Sequence, residues 1–201
     1  LSMLEALGLK TENRSIELNI DDWDNQSIQE FLSQNGVKQD DVLIGINPGT
    51  TWPSRRWQLE NFAKLIELLN EEERKIKIII TGSRKEINLA RKLQQLCKYS
   101  IIDAIGKTNV GQLIALIGRC NLYISNDAGP MHLAAALHTP LIALFGPGDI
   151  IRYDPRRLSQ KVVVFYNKVG CCPCFKIKCA SMECLKRISP EEVKEAALKL
   201  I

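Results

Sequence analysis

Histidines and aromatic residues are scarce in this 201-residue chain, with two histidines and a combined Phe, Trp and Tyr content of 6%. Both histidines, His132 and His138, lie far in sequence from the cysteine-rich stretch at 171–184, which weakens any mixed Cys/His zinc site there. No apolar run approaches the roughly 18 residues that a membrane span requires. The start, Leu1 to Lys10, lacks the basic region and long apolar core of a signal peptide. A cytoplasmic protein is expected. An excess of one charge is also missing: 27 basic against 23 acidic residues leave a formal charge of +4, too small and too evenly spread to argue for nucleic acid. The one basic stretch, Arg152, Arg156, Arg157 and Lys161, carries no interleaved base-stacking aromatics. It reads as a solvated face or as a contact for anionic lipid headgroups. Internal repeats and low-complexity linkers are absent.

What is present is ordinary globular chemistry, 45% hydrophobic and 25% charged, enough for one core with appendages. The chain opens in an amphipathic turn, Met3, Leu4 and Leu7, as though it were part of something longer. A helix is expected over Asp24 to Asn35, ended by Gly36. Thereafter short apolar runs alternate with helical patterns. Val42 to Asn47, Ile76 to Thr81, Ser100 to Ala104, Leu122 to Ser125 and Leu141 to Phe145 are rich in Ile, Leu and Val without period-two alternation, as in parallel strands buried on both faces. Between them Phe62, Leu65, Ile66 and Leu69 repeat at helical spacing. So do Ile87, Ala90, Leu93 and Cys97, after a Ser83/Glu86 capping box, and Leu113, Leu116 and Ile117. The alternation predicts an α/β fold, a doubly wound parallel sheet of Rossmann-like type, whose ligands bind at the carboxyl ends of its strands. A further apolar run spans Lys161 to Tyr166, and Ser189, Pro190 and Glu192 announce a last helix over 189–201.

The strongest local signal is Ser125-Asn126-Asp127-Ala128-Gly129-Pro130-Met131-His132, a polar turn between a buried strand and a small-residue helix. Pro130 suits the first helical turn, Gly129 lets a ligand approach the backbone, and the free amides with the helix dipole favour a phosphate. Asp127 would repel that phosphate unless it faces sugar hydroxyls instead. The bland alternative makes Asp127 a helix cap and His132 a packed core residue. A second segment, Asn47 to Trp57, follows the first strand. Thr50 and Thr51 can donate to phosphate oxygens, and one of Arg55 and Arg56 can neutralise a departing diphosphate. In the alternative, Trp52 and Trp57 pack the loop and the arginines are merely solvated. Glu86 is placed to accept from ribose hydroxyls or to serve only its cap, and Gly106-Lys107-Thr108 borders a base or is a plain turn.

Five of the seven cysteines crowd into 171–184. Zinc at Cys171, Cys174, Cys179 and Cys184 is weighed and ranked below buried or free thiols, because paired Cys-x-x-Cys units at a regular gap are missing. A cytoplasmic setting also disfavours structural disulfides.

Taken together, Asp127-Ala128-Gly129-Pro130-Met131-His132-Leu133-Ala134-Ala135-Ala136-Leu137, then Pro140 to Pro147, with Asn47-Pro48-Gly49 and Arg55-Arg56-Trp57 upstream, resemble the heptosyltransferase family of glycosyltransferases (glycosyltransferase family 9). Members build the inner core of lipopolysaccharide from ADP-heptose. The resemblance implies donor contacts at Asp127, Ala128, Gly129, Pro130 and His132, and donor-phosphate contacts at Thr50, Thr51 and Arg55. Arg55 stands where members often have lysine. Glu86 and Thr108 fall near positions that touch ribose and base. Arg55 and Asp127 are the residues the resemblance points to for catalysis. It further implies the C-terminal half of a two-domain, inverting GT-B enzyme: residues 1–40 as connection and leading helix, and 41–201 as the donor domain, with its Cys-rich segment at 171–184. The lipid-linked core acceptor would be held by an N-terminal domain. No metal is required, and this half alone would be inactive. The rivals are a sugar-nucleotide epimerase of the same shape and a non-catalytic nucleotide-binding module.

Overall fold

The computed structural model describes residues 6–8 and 16–201; Met3 and Leu4 of the leading turn lie outside the described residues. In chain order the elements are α1 (Asp22–Gln34), β1 (Val42–Asn47), α2 (Leu59–Asn70), β2 (Ile76–Ile80), α3 (Ile87–Leu96), β3 (Ile102–Asp103), α4 (Val110–Arg119), β4 (Leu122–Asn126), α5 (Gly129–Ala136), β5 (Leu141–Phe145), α6 (Ile150–Tyr153), β6 (Val162–Tyr166), α7 (Glu183–Lys186) and α8 (Pro190–Leu200). All six strands are parallel, in the order β3-β2-β1-β4-β5-β6. This is the doubly wound Rossmann-like sheet the alternation predicts. The order reverses between β1 and β4, so the helices that follow those two strands lie on opposite faces of the sheet and leave a crevice at the strands' carboxyl ends.

Alternate side chains of each strand feed two cores. Ile44, Ile46, Ile78, Ile80, Leu122 and Ile124 meet α2, α3 and α8 on one face. Leu43, Ile79, Tyr123, Ala143 and Phe145 meet α1, α4 and α5 on the other. Gly45 is needed where β1 passes Tyr123: a Cβ there would stand 2.5 Å from the tyrosine ring and 2.9 Å from Cys120 Sγ.

The boundaries shift by a residue or two from expectation, each for a local reason. Helix α1 begins at Asp22 rather than Asp24 because Asp21 caps it, its carboxylate accepting from Asp24 N at 2.8 Å. It docks on α4, burying Ile28 and Leu32, and Asn109 Nδ2 donates to Asp24 Oδ1 across the contact. Strand β3 shrinks from the expected 100–104 to two residues, since this edge strand pairs with β2 only through Ile79/Ile102 and Ile80/Asp103. Thr81 falls outside β2; its hydroxyl instead shares a 2.5 Å hydrogen bond with Tyr123 Oη. The last helix has Ser189 as its cap and the expected box with Glu192. His138 takes a left-handed conformation, φ 55°, and closes α5 with Thr139 N donating to Ala134 O.

Candidate functional site

Two loops meet at the switch point. The loop after β1 passes through Pro48, Gly49 and Thr50, makes a short turn at Pro53–Arg55, and descends at Trp57 into the core. Its anchoring is long-range. Trp57 N donates to Asn126 Oδ1 at 3.0 Å, Asn126 Nδ2 donates to Pro48 O at 2.9 Å, and Trp57 Nε1 donates to Ile188 O at 3.0 Å. Trp57 also packs edge-on against Phe62, with ring centroids 4.9 Å apart, an arrangement that adds about 1 kcal/mol beyond burial. Asn126, the last residue of β4, thus rivets the two loops together.

Within this frame the paired arginines separate. Arg56 donates from Nε and Nη2 to Thr50 O, at 3.0 and 2.6 Å, so it braces the loop. Arg55 turns the other way. Its guanidinium lies 4.5 Å from the Trp52 ring centroid and brings Nη1 to 3.0 Å from Asp127 Oδ2. That contact is Coulombic rather than a shaped hydrogen bond: among the described residues Asp127 Oδ2 and Arg55 Nε both lack a hydrogen-bond partner. Neither arginine is merely solvated.

Asp127 does not cap α5. The cap position is Ala128, which has no side chain able to accept, and Pro130 occupies the first turn. Pro130 has no N–H and Met131 N donates to Ala128 O at 3.1 Å, so the anion-binding capacity at the start of α5 rests on Gly129 N and the helix dipole. A Cβ on Gly129 would meet nothing within 4 Å, so the approach to the backbone is open. Asp127 itself is buried, 4% exposed. Gly148, after β5, lies directly against its carboxylate, leaving no room for a Cβ. Burial pushes the Asp127 carboxyl above its ordinary value, opposed by the charges of Arg55 and then His132. Burial likewise lowers His132, opposed by Asp127. His132 is half-buried on α5 and its ring lies 6.4 Å from that of Tyr153 on α6.

Thr50 is buried and its hydroxyl reaches Asp127 O at 3.5 Å, whereas Thr51 is exposed on the same loop. Glu86 belongs to the neighbouring loop. Its Oε2 accepts from Ser83 N and Oγ, both at 2.8 Å, while Oε1 presses on Gly49 so closely that a Cβ there has no space. The capping role is therefore real, and it still leaves one carboxylate oxygen at the rim. Thr108 is half-buried beyond Gly106, further toward the sheet's β3 edge. The structure thus gathers Thr50, Arg55, Asp127, Ala128, Gly129, Pro130 and His132 around the switch point, with Glu86 against Gly49 and Thr108 more remote. Sequence reasoning left Arg56 as an alternative to Arg55 and missed the roles of Asn126 and Gly148. Gly148 lies just past the Pro140 to Pro147 run, and nothing in the sequence names Asp127 as its neighbour.

The cysteines gather only in part, with the Cys172 and Cys184 thiols within hydrogen-bond reach of each other. Cys172 and Cys184 are buried, Cys174 and Cys179 half-buried and Cys171 exposed, all as free thiols. Among the described residues no three His, Cys, Asp or Glu side chains come together as a metal set. Burial raises the Cys184 thiol to about 12.

An uncapped helix start beside the Arg55–Asp127 pair, at the switch point of a doubly wound sheet, defines an α/β domain of Rossmann-like class with its candidate site at the carboxyl rim. The family can be stated more narrowly: the chain belongs to glycosyltransferase family 9 (heptosyltransferase), whose sequence model matches residues 2–185. It is 30% identical to lipooligosaccharide heptosyltransferase 2 of Campylobacter jejuni over 177 residues, 85% of this chain and 53% of that protein. It is 34% identical to lipopolysaccharide heptosyltransferase 2 of Salmonella typhimurium over 152 residues, 69% of this chain and 42% of that one. Among solved structures, the glycosyl transferase family 9 protein of Veillonella parvula superposes with a TM-score of 0.85 at 28% identity, covering 99% of this chain and 57% of that one. The E. coli ADP-heptose lps heptosyltransferase II gives 0.78 at 26%, covering 97% and 56%. The chain spans about half the length of the relatives it matches.

Proposed function

We propose that this chain is the donor-binding half of a heptosyltransferase that moves a heptose from ADP-heptose to the inner core of lipopolysaccharide. One observation carries the reading: Arg55 and the uncapped start of α5 meet at the switch point, joined through Asp127. The relatives are heptosyltransferases, and one of them is an ADP-heptose lps heptosyltransferase. The diphosphate lies across the start of α5, with Thr50 and Thr51 donating to its oxygens and Arg55 Nε supplying the charge-assisted bond it makes to no protein group. Asp127 faces the sugar hydroxyls. Arg55, held between carboxylate and diphosphate, stops the one from repelling the other. Glu86 Oε1 and Thr108 border the ribose and base.

An acceptor oxygen attacks the anomeric carbon, the bond from that carbon to the diphosphate oxygen breaks, and ADP leaves with the electron pair, inverting the centre. Arg55 and the start of α5 stabilise the charge that builds on the leaving group. The acceptor and the base that takes its proton belong to a preceding domain, for which the greater length of the relatives leaves room, with residues 1–40 as connection and leading helix. No metal enters the reaction. No helix among the described residues is long and apolar enough to cross a membrane, and the proposed location is cytoplasmic, at the inner face of the membrane.

Calorimetric titration with ADP, UDP and GDP tests the assignment. ADP should bind in preference, and Asp127→Ala should weaken it. Equal, weak binding of all three would remove the donor reading, and turnover of ADP-heptose by this chain alone would remove the claim that it is only half of the machinery.

A further inference from the structure

Charge is not evenly spread after all. Residues 149–188 hold nine basic and three acidic side chains, a balance of +6, and the other 161 residues carry 18 basic against 20 acidic, a balance of −2. The fold divides this basic region between two rims. Lys161 O accepts from Leu141 N at the start of the β5/β6 pairing, so Lys161 lies at the amino rim with Arg157 close before it. Arg156 is tied to Asp154 at 2.7 Å. The stretch Arg152 to Lys161 is therefore not one surface. What remains at the carboxyl rim is Arg152 on α6 and the loop that follows β6.

That loop contains three lysines and no acid between Asn167 and Met182. Its apex, Phe175-Lys176-Ile177-Lys178, is exposed at every position, with Phe175 at 74% and Ile177 at 56%. The apex is held rather than dangling. Ser54 donates to it twice, from N to Ile177 O at 3.1 Å and from Oγ to Lys176 O at 2.5 Å, and Cys174 N donates to Pro147 O at 2.9 Å. With its backbone pinned to the loops after β1 and β5, its side chains are turned outward. Pro147 leads within a few residues into α6, where Ile151 is 77% exposed beside Arg152. Asp149 is occupied as the cap of α6, accepting from Ile151 N and Arg152 N, and Asp154 is paired with Arg156.

We infer that Ile151, Arg152, Phe175, Lys176, Ile177 and Lys178 form a docking surface for an anionic phospholipid bilayer. Large apolar side chains standing in water between cations that form no ion pair among the described residues fit the headgroup boundary, where the cations meet phosphate and the apolar tips enter the acyl region. The cations also decide against a purely apolar partner, since a protein core would have to desolvate them. The surface is independent of the nucleotide assignment, and lipid binding reads it without donor or acceptor.

Sedimentation of the full chain with vesicles tests it. Vesicles with about 30 mol % phosphatidylglycerol should bind the chain about tenfold more tightly than phosphatidylcholine alone, and salt should weaken that binding. Lys176→Glu/Lys178→Glu and Phe175→Ser/Ile177→Ser should each lower it about tenfold without changing the melting temperature or ADP affinity, because these side chains are exposed. Trp23→Ser, on α1, should leave it intact. A chain that stays in the supernatant, as it would if this surface served a protein domain, overturns the inference. So do equal binding to neutral vesicles, double variants that bind like the parent, and a Trp23→Ser loss as large as theirs.

Discussion

The loops leaving β1 and β4 and the loops leaving β2 and β3 line the same rim but are built differently. The first pair is fastened across the chain: Trp57 reaches Asn126, 69 residues away, and Ile188, 131 residues away. The second pair relies more on local caps, with Asn109 also tied to Asp24, 85 residues away. Ser83 and Glu86 close a box over three residues, Asn109 and Gln112 close another, and Ile105 N donates to Asp103 Oδ1. Long-range fastening holds Arg55 and Asp127 in fixed relation, as the proposed contacts to diphosphate and sugar require. Local capping leaves Glu86 and Thr108, the proposed nucleoside contacts, on loops that can yield.

Truncation at the junction should break this contrast most forcefully. Trp57→Ala removes a buried indole, its edge-on contact with Phe62 and its bond to Ile188 O, and should cost about 3–5 kcal/mol in urea unfolding. A loss below about 1 kcal/mol would mean the junction is not the fastening described. Next, Arg55→Ala should weaken ADP by about 10- to 100-fold, while Arg55→Lys keeps the charge, loses the planar fork and retains part of the affinity. A smaller effect comes from Cys120, buried below Gly45 between the same strands, whose thiol burial raises to about 12. Below pH 9 folded and unfolded chains both keep its proton. Above that the unfolded chain ionises first, so stability falls between pH 9 and about 12, by about 1 kcal/mol at pH 10. Cys120→Ala should flatten that alkaline loss, as read by denaturant midpoints. Smallest of all, Glu86→Ala should cost a few tenths of a kcal/mol in folding and about threefold in ADP affinity. A tenfold affinity loss there would erase the distinction between the two loop pairs.

Legibility in the sequence followed the same division. Strand runs without alternation, helical repeats and the Ser83/Glu86 and Ser189/Glu192 boxes were all readable, because each depends on neighbours within a few residues. The edge strand at Ser100 to Ala104 was overestimated, since how much of an apolar run pairs is decided by its neighbour β2. Asp127 offered two local readings, cap or ligand group. The structure rejects the cap by placing Ala128 there. Arg55 and Arg56 were indistinguishable as letters, and only the fold assigns one to Thr50 O and the other to Asp127.

By itself, the sequence determined the alternation that makes a doubly wound parallel sheet, the ends of most helices and the two turns that carry the candidate site, because backbone geometry and amphipathic period act over one or two turns of chain. The tertiary structure alone decided that Asn126 rivets those turns together, that Gly148 backs Asp127, and that the exposed apex at Phe175 to Lys178 is pinned outward by Ser54. Those contacts join segments brought together by strand order, and strand order is set by how buried faces fill one common core rather than by any short run of residues.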